Sequence, residues 1–121
     1  MDIRIKRVYE PPGPEDGCRV LVDRLWPRGL RKADAAIEAW VRDLAPSREL
    51  RKWYGHDPGR WPRFRERYLA ELREGYGVPE WLLERARAGT VTLLFAARDS
   101  ERNNAAVLRE HLVRHLTGED R

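Results

Sequence analysis

Thr90-Val91-Thr92-Leu93-Leu94-Phe95-Ala96-Ala97 decides the fold. The stretch is rich in β-branched and aromatic residues, carries no charge, and has the length of a strand rather than of a helix. A strand with no polar side has no face to give to water, so both faces must be covered. That is the condition of a parallel sheet. Downstream, Arg98-Asp99-Ser100 reads as a polar turn, with Asp99 or Ser100 as the N-cap of the last helix. From Asn103 onward, Ala106, Val107, Leu108, Leu112 and Leu116 recur with helical spacing and predict that closing helix. The tail from Gly118 to Arg121 is expected to fray.

Upstream the punctuation is equally clear. Pro79 opens a helix carrying Trp81, Leu82, Leu83 and Ala86, which Gly89 stops. Trp61, Phe64, Tyr68 and Leu72 recur every three or four residues, forming the apolar stripe of a long helix. Asp57-Pro58 precedes that helix and Gly75 and Gly77 close it. Ser47 caps a shorter helix through Tyr54, terminated by Gly55. Ile37, Trp40, Val41 and Leu44 predict a further helix starting near Asp34 and ended by Pro46.

Two strands precede all of these. Ile3 to Tyr9 alternates in polarity, and Arg19 to Asp23 holds the β-branched run Val20-Leu21-Val22. The stiff loop Pro11-Pro12-Gly13-Pro14 separates them. It is too short for a helical crossover, so the two strands are either antiparallel neighbours or parallel strands that do not touch. The order strand, strand, helices, strand, helix predicts a single small α/β domain spanning residues 1–121. A short, mainly parallel sheet of about three strands would be flanked by about five helices in Rossmann-like layers.

The bulk numbers agree with one domain. A chain of 121 residues has room for one core. Its hydrophobic fraction of 41% and five tryptophans argue against disorder. No apolar run approaches the roughly 20 residues of a membrane-spanning helix, so no membrane partner is expected. Met1 to Tyr9 is charged and does not read as a signal peptide. Cys18 is the only cysteine, which excludes an intramolecular disulfide and a cysteine metal cluster and suits a reducing, cytoplasmic setting. The net charge is +4, but 20 acidic residues are interspersed with 24 basic ones, of which only Lys6, Lys32 and Lys52 are lysines. Nucleic acid is therefore a possible partner that the charge does not single out.

The candidate site is set by topology. In open α/β sheets, ligands bind beyond the carboxyl ends of the strands. Two strands end there in polar residues: Val22 is followed by Asp23-Arg24-Leu25-Trp26-Pro27-Arg28-Gly29, and Ala97 by Arg98-Asp99 and then Asn103-Asn104. If these strands are parallel neighbours, Asp23, Arg24, Arg28, Asp99 and Asn103 meet in one crevice. Arg28, between Pro27 and Gly29, is suited to grip a carboxylate or phosphate in a fixed fork. Asp23 and Arg24 read equally as an ion pair closing a strand end, and Trp26 as core or as pocket wall. His56, after the Gly55 cap, is the best general acid–base candidate and reads alternatively as a partner of a helix C-terminus. His111 and His115 are four apart but lack an HExxH context and read as an ordinary helix face, so no metal is expected. Arg67 and Glu71, also four apart, read as an ion pair. No GxGxxG or P-loop follows a strand, and neither Ser47 nor Ser100 lies in a nucleophile elbow, so no cofactor is implied.

Three blocks, VLVDRLWPRGLRK, APSRELRKWYGHDPGRWPRFRERYLAEL and TVTLLFAARDSERNNAAVLREHL, resemble the DUF488 family (domain of unknown function 488) in its YeaO-like branch, over nearly the whole chain. The resemblance implies a small cytosolic prokaryotic α/β protein without an assigned activity. Its recurring polar and turn residues fall on Asp23, Arg24, Trp26, Pro27, Arg28, Gly29, Ser47, Arg51, His56, Arg67, Tyr68, Glu71, Asp99 and Asn103. The chain departs from the family pattern at Arg98 and Arg102, where lysine and histidine are usual, which leaves no imidazole beside Asn103. Cys18 lies at a variable position, which argues against a nucleophile there.

These readings together predict a protein that binds a small anionic or nucleotide-like ligand at the strand ends, whether or not it is an enzyme. Arg24 and Arg28 would hold the anion, with Trp26, Arg51, Asp99 and Asn103 as further ligand-binding residues, and Asp23 and His56 would be the catalytic candidates. The alternative is a nucleic-acid- or protein-binding module that uses the arginines of the Pro58–Arg73 helix with Trp26 and Trp53. The sequence does not specify an oligomeric state.

Overall fold

A computed structural model describes residues 1–75 and 77–119 of the chain. Four strands, β1 (Asp2–Arg7), β2 (Cys18–Leu21), β3 (Ala39–Trp40) and β4 (Thr90–Phe95), form one sheet in the order β1-β4-β2-β3. Every pairing is parallel. The helices are α1 (Lys32–Ala35), α2 (Arg48–Tyr54), α3 (Trp61–Glu74), α4 (Glu80–Ala88) and α5 (Asn104–Thr117).

The uncharged strand β4 is central, and its residues Val91 to Phe95 are buried on both faces. Ile3 lies beside Val91 on β1, and Val20 beside Leu93 on β2. Strands β1 and β2 are thus parallel and separated by β4, which resolves the two arrangements their short connection allowed. Gly17 makes the close approach of β2 possible. It has φ +63°, and a Cβ there would sit 2.3 Å from the Thr90 carbonyl oxygen.

The two faces differ in their cover. Ile3, Val20, Val22, Val91, Leu93 and Phe95 pack with Leu50, Phe64, Tyr68, Leu82, Ala86, Leu108 and Leu112, which come from α2 through α5. Each fully buried Val, Leu, Ile or Phe side chain among them contributes about 1.5–3 kcal/mol. On the other face a smaller cluster of Val8, Leu21 and Leu94 is covered by Trp26, Leu30, Ile37 and Trp40, from loops and from β3.

The helix expected from Asp34 to Leu44 does not form. Helix α1 stops at Ala35, Ala36 turns left-handed at φ 49°, and residues 39–40 add a fourth strand where about three were expected. The apolar residues explain why. Ile37 and Trp40 join the smaller cluster while Val41 and Leu44 join the main core, so they serve opposite sides of the sheet, not one helical face. The edge of β2 supplies the competing partners: Glu38 N–H donates to the Arg19 carbonyl at 2.8 Å and Val41 N–H to Leu21 at 2.9 Å.

The remaining helix starts and stops follow their caps. The Ser47 hydroxyl accepts from the Leu50 N–H, and Gly55 ends α2 at φ 53°. Helix α5 is capped by Asn103, whose side chain accepts from the Ala106 N–H, and not by Asp99 or Ser100. Asp99 instead builds the preceding turn, accepting from the N–H groups of Glu101 and Arg102 at 2.9 Å each. Gly118 caps the far end of α5 at φ 78° and the Glu119 N–H donates to the Arg114 carbonyl at 2.9 Å; Asp120 and Arg121, the last of the expected frayed tail, lie outside the described residues.

Candidate ligand-binding cleft

Because β2 and β4 are parallel neighbours, their carboxyl ends open on one side of the sheet. A cleft of ≈ 1050 Å³ lies there. Asp23, Arg24, Trp26, Arg28, Arg51, His56 and Asn103 all line it. Asp99 is not among the lining residues. Its carboxylate also accepts from Arg102 Nε at 3.0 Å, so it orients Arg102, which does face the cleft. The N–H groups of Arg102 and Glu101, with the Arg102 side chain, hold the Asp99 carboxyl down at about 2.

Asp23 ties the floor together. One carboxylate oxygen accepts from the Ala96 N–H at 3.0 Å, at the end of β4, and the other from Asn104 Nδ2 at 3.0 Å, at the start of α5. Asn104 also donates to the Val22 carbonyl, and Trp40 Nε1 donates to that of Asp23 at 2.6 Å. Burial pushes the Asp23 carboxyl up, only partly offset by Asn104, the Ala96 N–H and the charge of Arg51. Asn103 is 3% exposed, and both ends of its amide are used, one in the cap and the other donating to the Asp99 carbonyl at 3.0 Å. Both bonds fix the orientation of the amide in the cleft wall.

The arginines are different. The cleft is lined by Arg24, Arg28, Arg48, Arg51, Lys52 and Arg102, and by one carboxylate, that of Asp23. Among the described residues, none of Arg24, Arg28, Arg48, Arg51 and Lys52 forms a salt bridge. Nε of Arg24 and Nε of Arg51 are buried and have no hydrogen-bond partner. A buried donor left unpaired costs about 1–3 kcal/mol. Arg24 and Arg51 both line this cleft. The N-terminus of the 14-residue helix α5, at Asn103 and Asn104, adds its partial positive charge to the same space.

Aromatic side chains complete the walls. Trp26 donates from Nε1 to the Leu30 carbonyl at 2.7 Å and meets Trp40 edge-on at 5.6 Å. It serves as core and as pocket wall together. The Tyr9 hydroxyl donates to the Arg28 carbonyl at 2.7 Å, tying the rigid Pro27–Gly29 loop to the end of β1. His56 is exposed at φ 57°, and its ring lies 6.3 Å from that of Tyr54. No hydrogen bond joins it to Asp23.

Helix α3 supports the cleft from behind. Glu71 does not pair with Arg67: its oxygens accept from the Ser47 N–H at 2.8 Å and hydroxyl at 2.6 Å. Arg67 lies over the Trp53 ring at 4.6 Å, and Tyr68 donates its hydroxyl to the Leu44 carbonyl. These contacts anchor α2, which carries Arg48, Arg51 and Lys52 to the cleft. Cys18 is remote from this chemistry. Burial and the Glu38 carboxylate push its thiol up to about 11, so it stays protonated. His111 is buried on α5 and His115 is exposed; among the described residues no three His, Cys, Asp or Glu side chains cluster around a common point for a metal.

Residue-level reading of the sequence missed Tyr9, Arg48, Tyr54, Arg102 and Asn104 in the cleft lining. Tyr9 is reached by the strand-end rule once β1 is placed beside β4. Asn104 had a signal too, because a second asparagine at a helix start can turn back to the strand ends.

A family model described as "Inactive DUF488-N3 subclade" matches residues 2–121. The chain is 46% identical over 110 residues to an uncharacterized protein of Mycobacterium tuberculosis, covering 91% of this chain and 92% of that one. It is 43% identical over 112 residues to the uncharacterized protein YeaO of Escherichia coli, covering 93% and 97% respectively. No solved structure matches. Among the described residues, no helix is long and apolar enough to cross a membrane.

Proposed function

We propose that this chain, which belongs to the DUF488 family, binds a small anionic ligand at the carboxyl ends of β2 and β4 and holds it without turning it over. The observation that carries this reading is the pair of buried, unpartnered guanidinium Nε groups of Arg24 and Arg51 in a cleft with six cationic side chains and one carboxylate. An oxyanion is the acceptor that satisfies such donors best, because each guanidinium edge offers two parallel N–H groups. Arg28, on its stiff loop, closes over the same anion.

Binding without catalysis is supported by the description of the subclade as inactive and by the two catalytic candidates themselves. Both Asp23 oxygens are occupied by structural donors, and His56 has no hydrogen bond to Asp23 that would make it a base. The rival reading, a nucleic-acid- or protein-binding surface centred on Trp53, finds less support. Arg60 and Arg67 lie over that ring at 5.5 and 4.6 Å, so Trp53 is engaged within the fold.

Thermal denaturation in inorganic phosphate or pyrophosphate, against chloride at equal ionic strength, tests the proposal. A ligand at 100 times its Kd adds about 2.7 kcal/mol of stability. The wild type should gain in phosphate or pyrophosphate, and the double variant Arg24→Met/Arg51→Met should not. Equal gains in both proteins would remove the arginines from the site, and no gain in the wild type would remove the anion.

A further inference from the structure

We infer that the anion belongs to a nucleoside phosphate, whose phosphate engages Arg24 and Arg51 and whose ring lies against Tyr9. This rests on the anion-binding reading above and adds a second subsite to it. Four large hydrophobic side chains are left exposed among the described residues, and two of them, Tyr9 at 42% and Leu25 at 68%, line this one cleft. An anion alone gives no reason to keep apolar surface at the rim of a cationic cleft.

Tyr9 is also held in place before any ligand arrives. Its hydroxyl is tied to the Arg28 carbonyl at 2.7 Å, and the Arg7 guanidinium lies 5.1 Å from its ring centre. Arg7 is itself fixed, donating to the Ala97 and Ala96 carbonyls at 2.9 and 3.1 Å. A ring held at its hydroxyl and backed by an immobile cation is a stacking platform that loses little freedom when a planar group settles on it. A volume of ≈ 1050 Å³ accommodates a nucleotide.

The charges choose the phosphate. A carboxylate offers two oxygens and one charge, enough for one guanidinium edge. A terminal phosphate offers three oxygens and close to two charges, and so can meet both unpaired Nε groups together. No glycine cradle surrounds the phosphates, so the contacts come from side chains and from the start of α5.

Isothermal titration should be run on the wild type, Tyr9→Ala and Tyr9→Phe, each checked by circular dichroism. The ligands are inorganic phosphate, pyrophosphate, unphosphorylated nucleosides, nucleoside mono- and diphosphates, and a short oligonucleotide without a terminal phosphate. Nucleotides should bind the wild type about 10-fold more tightly than the matching inorganic anion, the scale of one stacked base. Tyr9→Ala should lose that advantage and keep its affinity for the inorganic anion, and Tyr9→Phe should retain most of it. Equal affinity for nucleotide and inorganic anion overturns this inference and leaves the anion site standing. Failure of every anion to bind overturns both. An oligonucleotide that binds as tightly as the nucleotides overturns the inference in favour of a nucleic-acid track.

Discussion

The fold contains two clusters of carboxylate and cation, one closed and one open. Asp16, 3% exposed, accepts from Lys6 Nζ at 3.1 Å, from the Gly13 N–H at 3.0 Å and from Arg19 Nη1. Arg19, 5% exposed, spends its Nε on the Ala36 carbonyl and its Nη2 on that of Ala35, at 3.0 Å each. At the strand ends, Asp23 accepts from two neutral donors only, while Arg24 and Arg51 keep their buried Nε groups unpaired. The residue types are the same. The first cluster staples the Pro11–Asp16 loop and the end of α1 to the sheet and leaves nothing to bind. The second leaves two buried donors without a partner in the chain.

The largest effect should come from opening the closed cluster. Arg19→Ala strips Asp16 of its most buried counter-charge, and breaking a buried pair costs about 3–5 kcal/mol. Urea denaturation should show this loss with no change in the phosphate response. A loss under about 1 kcal/mol, the size of a surface pair, would mean that the two clusters are not different in kind.

An intermediate effect separates the clusters by pH. Burial alone would raise the Asp16 carboxyl, but the Gly13 N–H, Lys6 and Arg19 outweigh it and hold the group below its ordinary value. The stability it contributes is present above that value and lost as pH falls through the lowered one. Asp23 is held above its ordinary value, chiefly by burial. Its contribution is full at low pH and lost as pH rises through the raised value. As pH rises towards about 4, the ordinary aspartate value, Asp16→Asn should therefore destabilise progressively more and then level off. Asp23→Asn should become more stable relative to the wild type as pH rises above about 4. Parallel pH profiles for the two variants would contradict the assignment.

The smallest effect should be that of closing the open cluster. Arg24→Met or Arg51→Met removes a donor that has no partner, so stability should stay within about 1 kcal/mol of the wild type or rise. A loss of 3 kcal/mol or more, the scale of a buried pair, would show that these arginines hold the fold as Arg19 does.

Much of this contrast was legible in the sequence, for physical reasons. Thr90–Ala97 has no polar face, so a central, doubly covered strand was its only stable placement. Ser47, Gly55, Pro79 and Gly89 bracket helices whose stripes lie on one side, and those helices form where the caps put them. β3 was not legible, because the residues from Ile37 to Leu44 satisfy a helical period while their partners on β2 are long-range and invisible locally. Arg24 and Arg28 could be placed at a strand-end site by topology, whereas Arg51, on a helix, is indicated only by the family resemblance. What could not be read is which polar groups are already spent. Asp99 and Asn103 look like ligand residues in sequence, and their side chains are consumed by a turn and a helix cap.

The central claim is that the Nε–H groups of Arg24 and Arg51 await an oxyanion, and ¹⁵N-edited NMR of the arginine Nε–Hε signals during a phosphate titration reads it directly. The signals of Arg24 and Arg51 should shift and become protected from exchange with solvent, with that of Arg19 unmoved as the internal control. Saturation with phosphate that leaves Arg24 and Arg51 unchanged, or that moves Arg19 equally, would contradict the account.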